Sequence, residues 1–315
     1  MKRQNTIAGF LFALLALAPH NVSAVEGCQP SRWGVDDEIG NANLITAESV
    51  LAASRLIRTG KTYSLGITVD STTPAFPPRS LSLQIVQPNQ QESARPFSTM
   101  TYNDDVFQGW FGIGPQIDGL GHLGENGMYY NCNHARDFAA LTGLTKLGIE
   151  KVPPIVARGI VLDMAAHFGV QHMDGGQVFS VDDVKAVERK QNTPVREGDV
   201  VLFHTGWTDA KLKSDPDLWV SVEPGLSDGV ASYLAGKNVV AVGADTWGLD
   251  VVPSVKEAEP FIGHQILLMR SGIYILETMN TGPLVRDEAF EFLFVLGHAK
   301  VRGAVQMIIN PIAIR

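Results

Sequence analysis

Four short apolar runs in the second half of this chain constrain its fold more than any other feature. Residues 158–164, 199–204, 239–244 and 273–277 are bounded by polar residues or glycine, a pattern consistent with buried strands. Helical patterns lie between them. Ser180 stands as an N-cap before 181–190, and Ser227 before a helix that runs through Leu234 and ends at Gly236. Residues 261–270 suggest a helix stopped by Ser271 and Gly272. In the first half, Thr46 can cap a helix over 47–57, with Glu48 in its first turn and Gly60 beyond its end. Strands are expected at 63–69 and 81–86, on either side of a proline- and threonine-rich loop at 71–78, and a last one at 303–309. Residues 100–133 carry many glycines and little periodicity, as a long loop does. Strands clustered early and alternating with helices later predict an α/β fold with a mixed, partly barrel-like sheet and flanking helices.

Inside that expected loop, Gln116-Ile-Asp-Gly-Leu-Gly-His122 sets a carboxylate and an imidazole four residues apart among small, flexible positions. Glycine allows the backbone conformations that turn such side chains towards one point. His264 and Glu277 offer a further nitrogen and oxygen, and a helix, a short turn and a returning strand can bring both to the same end. Asp, His and Glu together suit a hydrolytic Zn or Mn ion. Each residue also has a plainer reading. Asp118 could bond its own loop backbone, and His122 could be a buried histidine bonded to carbonyls. Glu277, flanked by apolar residues, needs a cation, a proton or an arginine such as Arg270. His134 and His204 could reach the pocket, whereas His167 and His172 are expected in solvent. Asp245 and Trp247 end a strand, where α/β folds build pockets. Trp110 and Phe111 offer an aromatic wall or ordinary core packing.

The stretch Gly112-Ile-Gly-Pro-Gln-Ile-Asp-Gly-Leu-Gly-His122 resembles the hallmark H-x-G-T-H-x-D-x-P-x-H of the metal-dependent cyclase family, which includes bacterial kynurenine formamidase and isatin hydrolase. Gly114, Asp118 and His122 match. Similar pieces follow in family order: Trp33-Gly-Val-Asp-Asp-Glu-Ile-Gly40, Tyr130-Asn131, Arg158-Gly-Ile-Val-Leu-Asp163, Gly198-Asp-Val-Val-Leu202, Thr205-Gly-Trp207, Pro224-Gly-Leu226 and the segment 264–277. The resemblance implies one or two divalent ions, Zn or Mn, held by Gln116, Asp118, His264 and Glu277, with His122 beside them as general acid or base. It also implies a homodimer or higher homo-oligomer. The pattern departs where the family places two ligand histidines, which here are Gly112 and Gln116, and Pro115 and Leu120 replace its Thr and Pro. Glycine offers no ligand, and glutamine only a neutral carbonyl oxygen.

Residues 1–24 read as a cleavable signal peptide, with Lys2 and Arg3, an apolar stretch from Ile7 to Ala18, and Val22-Ser-Ala24 as the cleavage site. That stretch falls short of the ~20 residues a membrane span needs. A periplasmic or secreted chain of one catalytic domain, 25–315, is therefore expected. The net charge of −8 and the lack of basic runs argue against nucleic acid. No G-x-S-x-G, P-loop or G-x-G-x-x-G pattern supports another enzyme class. Cys28 and Cys132 would enter a compartment where a disulfide persists, and their Cα separation decides whether one forms. The expected activity is hydrolysis of a small amide, lactam or ester-type substrate. The alternatives are dehydration or cyclisation of a small metabolite, or a metal-free ligand-binding protein of the same fold.

Overall fold

The apolar runs become four parallel strands at the centre of one curled sheet. In the computed structural model, which describes residues 28–86, 103–255 and 260–315, they are Ile155–Asp163, Val200–His204, Ala241–Ala244 and Tyr274–Glu277, adjacent in that order. The expected signal peptide lies outside the described residues. Every residue of Val200–His204, Ala241–Ala244 and Tyr274–Glu277 is buried, as befits parallel strands covered on both faces. Val201, Leu202, Val242 and Leu276 have no exposed surface, and burying each such side chain stabilises the fold by roughly 1.5–3 kcal/mol.

Antiparallel strands extend the sheet on both sides. Glu291–Leu296, Ile312–Ile314 and Thr62–Ser64 follow one another beyond Ile155–Asp163. Gln116–Asp118 and then Gln306–Ile308 lie beyond Tyr274–Glu277. The nine strands curl into a half-barrel with helices around it. Thr46 and Ser49 form a reciprocal cap on Ala47–Ser54, and Ser180 and Asp183 do the same on Val181–Gln191. The first of these helices stops three residues short of its expected end. Ile57 finds no core to enter and stays 43% exposed.

The early strands differ more. The expected 63–69 shortens to Thr62–Ser64 and 303–309 to Gln306–Ile308, while Glu291–Leu296 and Ile312–Ile314 had no sequence counterpart. Leu81–Val86 is a strand as expected, but it pairs with Asp104–Gly109 inside the expected loop, forming a separate ribbon. Cys28 and Cys132 form a disulfide, with their Cα atoms 5.8 Å apart.

Candidate metal centre

The motif expected on a loop is instead partly a strand. Gln116–Asp118 is hydrogen-bonded on both sides, with Glu277 and Ile308 opposite Gln116, and Ile275 and Gln306 opposite Asp118. Side chains alternate along a strand, so Ile117 enters the core while Gln116, Asp118, Glu277 and Gln306 share the other face. Three residues between glycine-rich flanks are too few to show a strand period. The partners that make it a strand lie far away in the sequence.

His264 arrives by a different route. It ends the turn Ile262–His264, which continues as wide π-type turns over Gln265–Arg270, a feature frequent at functional sites. Asp250 holds this turn. Its carboxylate accepts the Gly263 N–H at 2.7 Å and the His264 N–H at 3.2 Å, and pairs with His264 Nδ1 at 2.6 Å. A Cβ at Gly263 would lie 2.6 Å from Asp250 Oδ1, so glycine permits the approach. With Nδ1 engaged, Nε2 faces Glu277 Oε1 at 3.2 Å and Asp118 Oδ2 at 3.7 Å.

Asp118, His264 and Glu277 thus bring donor atoms within 4.8 Å of one another, all buried. Asp118 Oδ2 is buried without a hydrogen-bond partner, an expensive omission unless something else binds there. A carboxylate behind the histidine, and an imidazole nitrogen in front turned towards Glu277 and Asp118, match the way metal-bound histidines are oriented. The residues fit a divalent ion.

The buried charges at the centre crowd one another. Burial alone would push Asp118 up, but His122, His264 and the Gln306 hydrogen bond hold it below the usual carboxylate range. Burial first, then the charge of Asp118, pushes Glu277 up. Burial alone would lower His264, but the carboxylates of Asp118, Asp250 and Glu277 around it raise it well above an ordinary histidine. Burial lowers His122 despite Asp118, so its ring is neutral near neutral pH.

The expected residues sort clearly. His122 stands beside the centre, with Nε2 at 4.0 Å from Asp118 Oδ2 and 3.5 Å from Gln306 Nε2. Gln116 enters as a hydrogen-bond donor, its Nε2 turned to Glu277 and, at 3.4 Å, to Asp118. Its carbonyl oxygen faces an ion only if the amide turns over. Arg270 pairs with Glu125 at 2.8 Å, leaving Glu277 to Gln116 and His264. Neither spare imidazole joins: His134 caps Arg136 N at 3.2 Å, and His204 bonds Thr281 at 2.8 Å. His167 is paired with Asp183 at 2.9 Å rather than free in solvent, and His172 lies against the Met173 carbonyl. Asp245 is committed to the Thr205–Gly206 turn. The aromatic wall is not Trp110, which is exposed, but Trp247 stacked on Phe76 at 5.5 Å, followed by Phe261 and then His264.

Sequence reading missed Asp250, Gln306 and Glu223. Gln306 had a signal, a polar residue inside an apolar strand pattern. Glu223 accepts the Trp247 N–H at 2.7 Å, has one unpartnered oxygen, and is raised well above its usual value by burial and then by Glu277.

A half-barrel α/β fold with a buried carboxylate–imidazole centre defines the class of protein. The chain belongs to the cyclase family, whose profile matches residues 63–251. It is 30% identical to a novel cyclase of known crystal structure, covering 90% of this chain and 98% of that one at a TM-score of 0.81. Isatin hydrolase A from Ralstonia solanacearum is similar in fold at 19% identity, covering 86% and 98% with a TM-score of 0.62. A protein described as a potential metal-dependent hydrolase with cyclase activity matches at 16%, covering 80% and 98% with a TM-score of 0.52. No curated protein sequence matches the chain.

Proposed function

We propose that this protein is an exported metal-dependent hydrolase of a small amide, lactam or ester-type substrate. The observation that carries the reading is the convergence of Asp118, His264 and Glu277 on one buried point, with Asp118 Oδ2 left unpartnered there. A divalent ion held by them would polarise a carbonyl and make bound water acidic. His122, lowered by burial and within about one water molecule of Asp118, is placed beside the centre as the group that would accept and return a proton. Gln116 and Gln306 hold the carboxylates in position. Trp247 and Phe76 offer a flat wall for a cyclic or aryl substrate.

The similarity to a cyclase and to hydrolases supports the reaction class. The Cys28–Cys132 bridge supports an oxidising compartment. Among the described residues, no helix is long and apolar enough to cross a membrane. We further propose a homo-oligomer, supported by the exposed apolar residues Leu83, Ile85, Val106 and Phe107 on the ribbon. A light-scattering mass of one chain at all concentrations would remove that part.

The test is metal analysis of protein prepared without chelator, followed by hydrolysis of lactam and aryl-amide substrates. Activity should vanish with the ion and return with Zn²⁺ or Mn²⁺. A folded chain that takes up no ion would instead favour a metal-free binding protein, in which His264 stays within ion-pair reach of the three carboxylates around it.

A further inference from the structure

The place where the family carries its first ligand histidine is filled here from elsewhere in the chain. A Cβ on Gly112 would lie 2.7 Å from Arg79 Nη1, 2.7 Å from Gln306 Oε1 and 2.9 Å from Arg79 Cζ. No side chain fits at 112 while those two stand there. Arg79 Nη1 donates to the Gly112 carbonyl oxygen at 2.7 Å, and Gln306 Nε2 donates to Asp118 Oδ1 at 2.7 Å. Arg79 and the amide that holds Asp118 therefore flank the same point. The loop that carries Arg79 is anchored over the site, because Phe76, three residues earlier, stacks on Trp247 at 5.5 Å.

Charge balance points the same way. Asp118, Glu277 and Asp250 converge on His264, and buried charge is costly unless it is neutralised nearby. With Glu223 buried beside Glu277 as a further carboxylate, one divalent ion does not neutralise the cluster, and one guanidinium offsets part of the remainder. Arginine suits the role because it stays charged and presents a planar fork of donors to carboxylates and oxyanions.

We propose that this centre takes one divalent ion and that Arg79 supplies part of the remaining positive charge, as a fixed guanidinium that holds an anionic oxygen of the substrate beside that ion. The proposal rests on the metal-hydrolase reading above and names the residue that replaces the missing histidine. Chelator-stripped protein titrated with Zn²⁺ in a calorimeter should take up one equivalent per chain, and two equivalents would overturn the proposal. Formate, as a minimal anion, is then titrated into zinc-loaded wild type, Arg79→Gln and Arg79→Lys, with thermal melts confirming that all three fold. Arg79→Gln should still bind one zinc but lose ~10-fold or more in formate affinity, the order expected for a hydrogen bond to a charged group. Arg79→Lys, which keeps the charge but not the planar fork, should bind formate more tightly than Arg79→Gln and more weakly than wild type. If Arg79→Gln binds formate as tightly as wild type, Arg79 is only a structural prop for the Gly112 carbonyl and the inference fails alone. If wild type binds no zinc, the hydrolase reading fails and this inference falls with it.

Discussion

Two carboxylates in this chain, Asp37 and Asp118, are gathered into polar clusters by distant residues, and only one of them has an oxygen to spare. Asp37 is saturated. Its Oδ1 accepts from Ile39 N and Asn43 Nδ2, and its Oδ2 from Ser31, Gly40 N and Tyr130 at 2.6 Å. Asn131 adds bonds to Gly34 and Asp37 carbonyls, and the Cys28–Cys132 bridge closes the same region. Asp118 is held by Gln306 and Gln116 through Oδ1, while Oδ2 points at the histidines without a partner. A cluster built for stability satisfies every lone pair, because each buried omission costs about 1–3 kcal/mol. A cluster built to bind something leaves the omission in place. Both regions lie in segments that resemble the family, so resemblance alone does not tell the clamp from the centre.

The sharpest way to break the comparison is His122→Ala. Turnover should fall roughly 10²–10⁴-fold, while metal content, read by elemental analysis, stays at the wild-type level. A parallel loss of metal would make His122 a ligand rather than a proton carrier. Asp250→Asn should come next in size. It loosens the support behind His264, so zinc affinity should drop about 10–100-fold, with little change in the melting temperature of the metal-free protein. Asp37→Asn tests the other arm: a loss of about 1–3 kcal/mol in denaturant unfolding, with zinc affinity unchanged. Should zinc affinity follow, the two clusters are coupled and the contrast between them is wrong.

The smallest effect is on pH. Glu277 is raised by burial and by Asp118 to about 7 from its ordinary 4.5. A carboxyl raised in the folded state favours folding at low pH, and that contribution is lost as pH climbs through the folded value. His264, raised through its three carboxylate partners despite burial, loses its contribution in the same direction at higher pH. These two contributions should make the melting temperature of metal-free protein decline from pH 4.5 upwards through 7, against a smaller opposing contribution from His122, which burial lowers. Zinc should flatten the slope, and Asp37→Asn should leave it as it was. A metal-free melting temperature that rises across this range would contradict the crowding of charges at the centre.

Much of this was legible in the residues themselves. The central strands announced themselves as short apolar runs, because strands buried on both faces leave a continuous pattern that needs no partner to be seen. The capped helices at Thr46, Ser180 and Ser227 were equally local, since an N-cap is a bond between residues three apart. Asp118, His122, His264 and Glu277 stood out by type and order. The edge strands did not, because three residues such as Gln116–Asp118 or Ile312–Ile314 carry no period of their own.

What the sequence determined by itself was therefore the α/β core, the caps and the identity of the chemical groups, all set by neighbours within a turn or a strand. Tertiary structure decided the rest. It put Gln116 opposite Glu277 across 161 positions and Gln306 on Asp118 across 188, placed Asp250 behind His264, and set Arg79 where a side chain of Gly112 would go. Those contacts depend on strand register and on loops folding back over the sheet. A one-residue slip would turn Asp118 from the centre to the opposite face, so only the assembled sheet could say which oxygen would be left without a partner.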